Sequence, residues 1–535
     1  MQFDDFLNPR AANFQPLTPL SFLDHALLAF SDRPAVAWHD RIWNYAEFHK
    51  QVLRMAAALK ARGIGRGDVV SVIARNRPEM LAAHYAVPMI GAVLNTINIR
   101  LDRGTIEYIL DHGESRLLIV DPVCSEAALK AARAVGTPVL MLPDAADDAA
   151  SDALDIFRGD LPDEIPGLLA EMTEEWRPIC LNYTSGTTGN PKGVIYHHRG
   201  AHLNALGNAA TLGLDEHSAY LWTLPMFHCN GWCHTWAVTA AGGLHVCLDR
   251  PDPDLILKEL SRRDVTHFCC APVVLYMLVN EPGVEALDMR TRVKVGTGGA
   301  APTATLIEAL GNLGFDLMHL YGLTESYGPA TVCRLPEVSA EWDAARKARR
   351  LARQGVRHVT GSDVRVLRED GSDVTPDGTE MGEIALTGNT LMAGYYRDRD
   401  ATETALRGGC FHTGDLAVRF EDGSIQVKDR AKDIIISGGE NISSLEVEEA
   451  LHKHPAVLLA AVVAAPHPKW GETPFAFIEL KEGEEVDGAA LTAFCRAHLA
   501  GFKLPHRFHF GPLPKTATGK VRKFELRQAA AGLDQ

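Results

Sequence analysis

The stretch Tyr183-Thr184-Ser185-Gly186-Thr187-Thr188-Gly189-Asn190-Pro191-Lys192-Gly193 gathers hydroxyl groups and glycines in front of a single lysine. An apolar run precedes it, and a second β-like run follows it. Small residues let the backbone approach an anion closely, and their N–H and hydroxyl groups can surround phosphate oxygens. The stretch therefore predicts a phosphate-binding loop between two strands, with Lys192 as a mobile positive charge.

Two other interpretations fit this loop less well. A flexible linker rich in serine and threonine would rarely lie between two β-rich apolar segments inside a domain. The common phosphate loop requires a glycine, four residues and then Gly-Lys-Ser/Thr at the start of a helix. Here Lys192 comes before Gly193, and a strand-like run follows instead of a helix. The loop is thus expected to belong to a different class of phosphate-binding protein.

The bulk composition sets limits on the protein class. A chain of 535 residues is too long for one hydrophobic core, so two or more domains are expected. The net charge of −15 argues against nonspecific nucleic-acid binding and against docking on an anionic membrane. No apolar run is long enough for a membrane span. Ten cysteines, without a signal peptide at the start or a peroxisomal address at Leu533-Asp534-Gln535, predict reduced thiols and a cytoplasmic location.

Two long regions alternate strand-like and helix-like segments, one at residues 20–121 and the other at 178–325. This alternation predicts βαβ units and mostly parallel sheets, so each region is expected to form an α/β subdomain. Residues 356–428 differ, because short strand-like runs alternate there with Asp-Gly turns at Asp370-Gly371, Asp377-Gly378 and Asp422-Gly423. Such turns are typical of hairpins and predict a small β subdomain.

The pattern changes again after Arg430. Ser443 and Glu446 form a capping-box pattern that predicts a helix over 444–454, followed by strands at 457–464 and 475–480 and a helix near 489–499. We therefore predict an α/β protein. Its large N-terminal domain, residues 1–430, would contain two α/β subdomains and the small β subdomain, and a small, mobile α+β C-terminal domain would cover residues 431–535.

The loop at 183–193 resembles the signature of the adenylate-forming superfamily, which includes acyl-CoA synthetases, luciferases and peptide-synthetase adenylation domains. Further segments fit the same family in the same order: Gly298-Gly299-Ala300-Ala301-Pro302, Tyr321-Gly322-Leu323-Thr324-Glu325, Thr413-Gly414-Asp415 with Arg430, and Pro514-Lys515-Thr516-Ala517-Thr518-Gly519-Lys520. Each segment alone has an ordinary structural explanation. Their number and order do not, and the resemblance extends over roughly residues 20–523.

The resemblance implies an ATP site. Phosphate contacts fall to Thr184, Ser185, Gly186, Thr187, Thr188, Gly189 and Lys192, and adenine contacts to Gly299, Ala300, Ala301, Pro302, Tyr321 and Gly322. Thr324 would meet the α-phosphate, and Glu325 would hold Mg²⁺ with Thr184 as a weaker second ligand, which suits the preference of this cation for oxygen. Asp415 and Arg430 would hold the ribose. Lys520 would bridge the carboxylate and the α-phosphate.

The same resemblance implies an acid pocket made by His228, Trp232, Gly298 and Gly299, with His228 also near the reacting atoms. Relatives that activate amino acids commonly carry an aspartate at the position of His228, so a free α-amino group on the substrate is not expected. The run Met226-Phe227-His228-Cys229-Asn230-Gly231-Trp232 looks most like short- and medium-chain acyl or aryl-acid CoA ligases. Among these, the run resembles 3-methylmercaptopropionate–CoA ligases and plant benzoate-activating enzymes, and the lack of a peroxisomal signal favours the former.

Coenzyme A would meet the C-terminal domain. Gly438 and Gly439 resemble the loop that lines the pantetheine tunnel, and Trp470 matches a position where a tryptophan stacks on the CoA adenine. A tryptophan in the core explains Trp470 equally well, and Lys503 either meets the CoA phosphates or is solvated. Lys432 matches the family's hinge for domain rotation.

The sequence thus predicts an ATP-, Mg²⁺- and CoA-dependent ligase with a small carboxylic acid as its substrate. The carboxylate would attack the α-phosphate to give acyl-adenylate and pyrophosphate, and the CoA thiol would then displace AMP. Nucleic acid is not expected as a partner, and a homodimer is one possibility that the sequence does not decide. A non-catalytic nucleotide- or CoA-binding regulator on the same fold is an alternative.

Two motifs point elsewhere. Gly296-Thr297-Gly298-Gly299-Ala300-Ala301 fits the dinucleotide-binding pattern of an NAD-dependent dehydrogenase, although the unit lacks a full second mononucleotide half. The run from His228 to His234 contains two histidines and two cysteines that could ligate zinc, but it lacks the paired Cys-x₂-Cys spacing.

Overall fold

The computed structural model describes residues 8–143, 174–184, 190–287, 292–298, 302, 304–438, 440–515 and 521–532. Its strands form four sheets. The first sheet has seven strands, in the spatial order Gly394–Tyr395, Gly193–His197, Pro178–Tyr183, Val93–Thr96, Val69–Ile73, Ser115–Val120 and Val139–Met141. Its strands are parallel from Pro178–Tyr183 to Val139–Met141, whereas Gly193–His197 and Gly394–Tyr395 are antiparallel to their neighbours.

The second sheet has nine strands, in the order Val356–Arg357, Gly328–Cys333, Phe315–Leu323, Val293–Gly298, His267–Cys270, Ala219–Leu221, Leu244–Val246, Pro34–Trp38 and Arg41–Asn44. Its central strands are parallel, as the alternating pattern predicts. The two outermost strands on the Val356–Arg357 side and the edge strand Arg41–Asn44 run antiparallel to their neighbours. The N-terminal strand Pro34–Trp38 crosses into this sheet, so the two α/β subdomains share chain segments.

Helices cover the two sheets and connect their parallel strands. In the region of the first sheet they are Leu20–Phe30, Tyr45–Ala61, Pro78–Met89, Arg103–His112, Ser125–Val135 and His198–Leu212. In the region of the second sheet they are His234–Ala240, Pro253–Arg262, Pro272–Val279, Ala304–Asn312 and Ala344–Leu351. The helix Pro78–Met89 is buried on all sides, which explains why its residues show no amphipathic pattern. None of the described helices combines the length and apolarity needed to cross a bilayer.

The predicted β subdomain is a four-stranded antiparallel sheet of Gly361–Leu367, Met381–Gly388, Phe411–Arg419 and Ile425–Arg430, with the helix Arg399–Ala405 beside it. The expected Asp-Gly turns are present, and Gly371, Gly378 and Gly423 all have φ values near 80°. The subdomain begins later than the sequence suggests. Val356–Arg357 pairs with Gly328–Cys333 and therefore belongs to the nine-stranded sheet.

The C-terminal part forms a five-stranded sheet of Glu440–Ile442, Ile435–Ser437, Gly471–Leu480, Val457–His467 and Arg507–Phe510, packed with the helices Ser444–His452, Gly488–Cys495 and Lys523–Gly532. Ser443 caps the first of these helices as predicted, because its hydroxyl accepts from the backbone N–H of Glu446 at 3.1 Å. The helix ends at His452, two residues before the predicted end. Asp429, at the end of the preceding subdomain, accepts from the hydroxyl of Ser444 at 2.8 Å and so ties the two parts together.

Candidate active site

The serine- and glycine-rich loop joins two antiparallel strands, Pro178–Tyr183 and Gly193–His197, as predicted. Thr184 and Lys192 close the base of the loop, because the backbone N–H of Thr184 donates to the carbonyl oxygen of Lys192 at 2.9 Å. The predicted phosphate-binding residues at the tip of the loop lie outside the described residues: Ser185, Gly186, Thr187, Thr188 and Gly189. Thr184 and Lys192 thus mark the two ends of the loop.

A line of side chains connects this loop to Glu325. The ammonium group of Lys192 lies 4.7 Å from the centre of the Tyr395 ring, and the Tyr395 hydroxyl donates to Glu325 Oε1 at 2.9 Å. Burial raises the pKa of Glu325. The sequence reasoning missed Tyr395, which lies in the two-residue strand that pairs with Gly193–His197. A bound cation would compensate the buried carboxylate, so Glu325 suits the predicted role of a magnesium ligand.

Asp415 receives contacts from two of the other predicted residues. The Tyr321 hydroxyl donates to Asp415 Oδ2 at 2.7 Å, and Arg430 Nε lies 3.0 Å from Asp415 Oδ1. Asp415 and Arg430 are direct partners on neighbouring antiparallel strands, which explains how residues 15 apart meet. Gly322 comes next to Tyr321, and a Cβ there would lie 1.9 Å from the carbonyl oxygen of Gly328, so only glycine fits. The structure therefore brings three predicted nucleotide-binding side chains together.

The predicted acid-pocket segment has an unusual backbone. Residues 229–233 all have positive φ, at 44°, 45°, 56°, 53° and 61°, so the chain makes one left-handed helical turn. This conformation costs about 1–2 kcal/mol for each residue other than glycine, and asparagine tolerates it best. Gly231 lies at the centre, where an added Cβ would come within 2.6 Å of the Trp222 ring. Strained backbone of this kind is concentrated at functional sites.

The left-handed turn places Trp232 against two glycines. A Cβ on Gly298 would lie 3.2 Å from Trp232 Cη2, and one on Gly328 would lie 3.0 Å from Trp232 Cβ. Two predicted pocket residues, Trp232 and Gly298, are thus neighbours. Asn76, which the sequence reasoning missed, holds the preceding segment, because its side-chain oxygen accepts from the N–H of Met226 at 2.7 Å.

The same turn meets the predicted α-phosphate contact. Cys229 Sγ lies 3.3 Å from Thr324 Oγ1 and 4.0 Å from His228 Nε2. Burial disfavours the thiolate of Cys229, but His228 and the Thr324 hydroxyl outweigh it and lower the pKa of the thiol. His228 is half-buried. Thr324 and His228, 96 positions apart, therefore both lie close to one buried sulfur atom.

Other predicted contacts are placed in part. Pro302 is buried, and its neighbours Gly299, Ala300 and Ala301 lie outside the described residues, as do Gly439 and the predicted catalytic Lys520. In the C-terminal part, Gly438 has φ 60° and donates its N–H to the carbonyl oxygen of Trp470 at 2.8 Å. A Cβ on Gly438 would come within 2.9 Å of the Trp470 ring, which is 46% exposed. These two predicted CoA contacts are therefore adjacent, and Trp470 is a surface residue.

Lys503 and Lys432 have different surroundings. Lys503 Nζ lies 2.7 Å and 2.8 Å from the two carboxylate oxygens of Glu446, so the predicted phosphate contact is already paired with an acidic residue. This ion pair also replaces the second half of the predicted capping box. Lys432 lies in the short helical turn Ala431–Asp433, between the β subdomain and the C-terminal sheet. Lys432 therefore lies in the segment that connects these two parts of the chain.

The two competing motifs do not form the sites that they suggest. Gly296 lies inside the strand Val293–Gly298, where a Cβ would meet Cys269 Sγ at 2.7 Å, so it does not make the turn of a dinucleotide-binding unit. In the segment from His228 to His234, Cys233 Sγ donates to the carbonyl oxygen of Tyr327, and His234 Nδ1 faces that of Gly231. The four side chains therefore do not converge, and no cluster of three metal-ligating side chains occurs within the described ranges.

Comparison with known proteins agrees with this geometry. A family model described as AMP-binding enzyme matches residues 23–396, and one described as AMP-binding enzyme C-terminal domain matches residues 446–520. The chain is 42% identical to the acetate–CoA ligase CCL3 of Humulus lupulus, over 98% of this chain and 97% of that protein. It is 41% identical to the peroxisomal trans-cinnamate:CoA ligase of Petunia hybrida, over 98% and 96%.

Solved structures show the same relationship. The o-succinylbenzoate CoA synthetase of Bacillus subtilis, in complex with ATP and a magnesium ion, has a TM-score of 0.81 and 27% identity, over 95% of this chain and 98% of that one. The chain belongs to the AMP-binding enzyme family. This result confirms the predicted superfamily and the α/β class with a large N-terminal and a small C-terminal domain. It identifies an enzyme, not a non-catalytic regulator or a dehydrogenase.

Proposed function

We propose that this acid–CoA ligase activates a short- or medium-chain carboxylic acid, with 3-methylmercaptopropionate as the representative substrate. The enzyme uses ATP with Mg²⁺ to form an acyl-adenylate and then transfers the acyl group to coenzyme A. The observation that supports a small acid is the position of Trp232, whose ring lies against Gly298. The Trp232 side chain beside Gly298 fills the space that a bulky acid would need.

Neither half-reaction needs a side-chain nucleophile. In the first half-reaction the enzyme would therefore act by positioning its substrates and by electrostatic stabilisation. We assign the phosphate contacts to the loop between Thr184 and Lys192 and the magnesium contact to Glu325. The acidic Asp415 and the neighbouring Arg430 would orient the ribose. Lys520 would offset the charge that develops between the carboxylate and the α-phosphate. The burial that raises the pKa of Glu325 and the joint contacts of Asp415 support these roles.

In the second half-reaction the C-terminal domain, residues 431–535, would rotate about Lys432. This motion would remove Lys520 and bring the Gly438 segment to the acyl-adenylate. The exposed ring of Trp470, adjacent to Gly438, would then stack on the CoA adenine. Lys503 could contact the CoA phosphates only after leaving Glu446, so we expect it to contribute less than Trp470.

An aryl acid is the second candidate substrate. It is favoured by the 41% identity to a ligase that is named for trans-cinnamate. The face of the Trp232 ring could pack against an aromatic acid, and His228 carries no negative charge that would require a substrate ammonium group.

The test is a panel of acids in the pyrophosphate-exchange and thioester assays: acetate, butyrate, 3-methylmercaptopropionate, benzoate and trans-cinnamate. We expect the highest kcat/KM for one of the three aliphatic acids. In Trp232→Ala the preference should shift toward bulkier acids, with the KM for ATP near that of the wild type. A best substrate of benzoate or cinnamate type in the wild type would establish the second candidate, and an unchanged acid profile in the variant would remove Trp232 from the pocket.

We further propose a cytoplasmic enzyme. Its ten cysteines are all free, and nine of them are buried, which suits a reducing compartment. A homodimer is the assembly that we would test first, by light scattering across a range of protein concentrations.

A further inference from the structure

The left-handed turn at 229–233 raises a physical question, because four of its five residues are not glycine and each strained residue must be held in place. The turn carries Cys229, which touches Thr324, and Trp232, which lies on Gly298. Between them is Asn230, whose side chain is fully buried. Whatever fixes Asn230 therefore fixes both the wall of the acid pocket and the sulfur beside the predicted phosphate contact.

The hydrogen bonds of Asn230 define a chain in which the direction of each bond can be deduced. His84 Nδ1 lies 2.7 Å from the carbonyl oxygen of Met80, which can only accept, so Nδ1 carries the ring proton. Burial lowers the pKa of His84 to about 4, so the ring is neutral near pH 7 and Nε2 is an acceptor. The atom of Asn230 that faces Nε2 at 3.1 Å must then be the amide nitrogen.

The chain continues to the strand that leads into the phosphate loop. Because the amide nitrogen of Asn230 faces His84, its side-chain oxygen faces Asn182, which donates from Nδ2. The oxygen of Asn182 in turn lies 3.2 Å from the hydroxyl of Thr96. Every polar group of Asn182 and Asn230 along this line meets a complementary partner, and both residues are almost completely inaccessible to solvent. Asn182 is two positions before Thr184, where the loop begins.

We propose that Asn230, held between Asn182 and His84, is a positioning residue that fixes the shape of the acid pocket and so sets which acids the enzyme accepts. The proposal rests on the proposed acid pocket around Trp232. Asparagine is the side chain that combines tolerance of the left-handed region with one donor and one acceptor on the same group. The chain of hydrogen bonds also places the acid pocket and the phosphate loop in one rigid frame, as transfer between the acid and ATP requires.

The first test replaces Asn230 with glycine, which tolerates the left-handed backbone but removes both side-chain hydrogen bonds. We expect the KM for the acid to rise by about tenfold or more, while the KM for ATP changes less than about twofold. Asn95→Ala is the matched control. Asn95 is also fully buried, but its amide donates to Ser71, so its loss should lower stability without changing the acid KM. An unchanged acid KM in a folded Asn230→Gly enzyme would overturn the proposal.

The second test uses Asn230→Asp, which keeps the acceptor for Asn182 but points an oxygen at His84 Nε2. The new carboxylate should raise the pKa of His84, and protonated His84 can donate from both ring nitrogens. His245, whose pKa His84 influences, has its pKa lowered by burial to about 3 and stays neutral, and burial raises the pKa of Tyr85, so its phenol stays neutral as well. Activity of the variant on the preferred acid should therefore rise as the pH falls from 8 to 6, a trend that the wild type lacks.

A second-site change completes this test. Adding His84→Gln to Asn230→Asp supplies a neutral donor, so it should restore activity and remove the new pH dependence, whereas His84→Gln alone should not improve on the wild type. Trp232→Ala could alter the acid profile while the Asn230 variants keep the wild-type acid KM and pH profile. That result would support the proposed acid pocket and show that the positioning role of Asn230 is wrong. If neither residue affects the acid profile, the proposed pocket itself is wrong.

Discussion

The interior of this protein holds several histidines that burial keeps neutral, and this predicts a steep loss of stability in mild acid. Burial lowers the pKa of His84 and His234 to about 4 and that of His198 and His245 to about 3. In the unfolded chain a histidine has a pKa near 6.5. The unfolded state therefore binds more protons than the folded state in acid, so the stabilisation is complete above pH 6.5 and is lost as the pH falls toward 4.

The magnitude follows from the same values. At pH 5 each of the four residues lowers the free energy of unfolding by about 2 kcal/mol relative to its value at neutral pH. Together they lower it by about 8 kcal/mol. Domains are usually stable by about 5–15 kcal/mol, so the large domain should approach its unfolding midpoint near pH 5. Burial raises the pKa of four acidic side chains, which acts in the opposite direction: Asp24, Glu325, Glu448 and Glu449. Burial also lowers the pKa of three further histidines to about 4, which adds to the loss of stability in acid: His197, His267 and His358.

The assay is urea unfolding followed by tryptophan fluorescence at intervals from pH 7.5 to pH 5. The free energy of unfolding should fall with decreasing pH, most steeply below pH 6. In His245→Gln the stability at pH 7.5 will be lower, but the fall toward pH 5 should be smaller by about 2 kcal/mol, because one proton-binding site is gone. A free energy of unfolding that stays constant from pH 7.5 to pH 5 would refute the assignment of these histidines as buried and neutral.

Three further predictions concern catalysis. Lys520→Ala should lower the rate of adenylation by roughly 10²–10³ but spare thioester formation from supplied acyl-adenylate, and equal losses in both would contradict the two-conformation mechanism. Lys432→Pro, which fixes φ near −65°, should leave adenylation intact and reduce thioester formation at least tenfold in single-turnover measurements; equal losses in a folded variant would show that the pivot lies elsewhere. Tyr395→Phe removes the hydroxyl that donates to Glu325, so the apparent affinity for Mg²⁺ in pyrophosphate exchange should change while the acid KM does not. An unchanged Mg²⁺ dependence would contradict the assignment of Glu325 as a magnesium ligand.

Much of the site could be predicted from short segments. The loop at 183–193, the segment at 321–325 and the pair Asp415 and Arg430 each consist of residues whose chemistry is visible in the sequence. The strands on both sides of the loop were also predictable, because a turn between two β-rich runs favours a hairpin. Where the structure describes these residues, it brings Tyr321, Asp415 and Arg430 into contact.

Other contacts had no local signal. Tyr395 meets Glu325 across 70 positions, and Asn230 meets His84 across 146. Neither pair shares a motif, and each partner alone looks like an ordinary buried or loop residue. The left-handed turn was hidden for a related reason, since the run from Cys229 to Cys233 contains only one glycine to indicate positive φ.

The sequence by itself determined the alternation of strands and helices, the class of the protein and the position of the loop between two strands that is predicted to bind phosphate. These depend on backbone sterics and on side-chain patterns that repeat over a few residues. Only the tertiary structure decided that Trp232 lies on Gly298, that the left-handed turn is stable and that Asn230 joins His84 to Asn182. A strained turn is stable only when distant segments supply its hydrogen bonds, and packing brings those segments together.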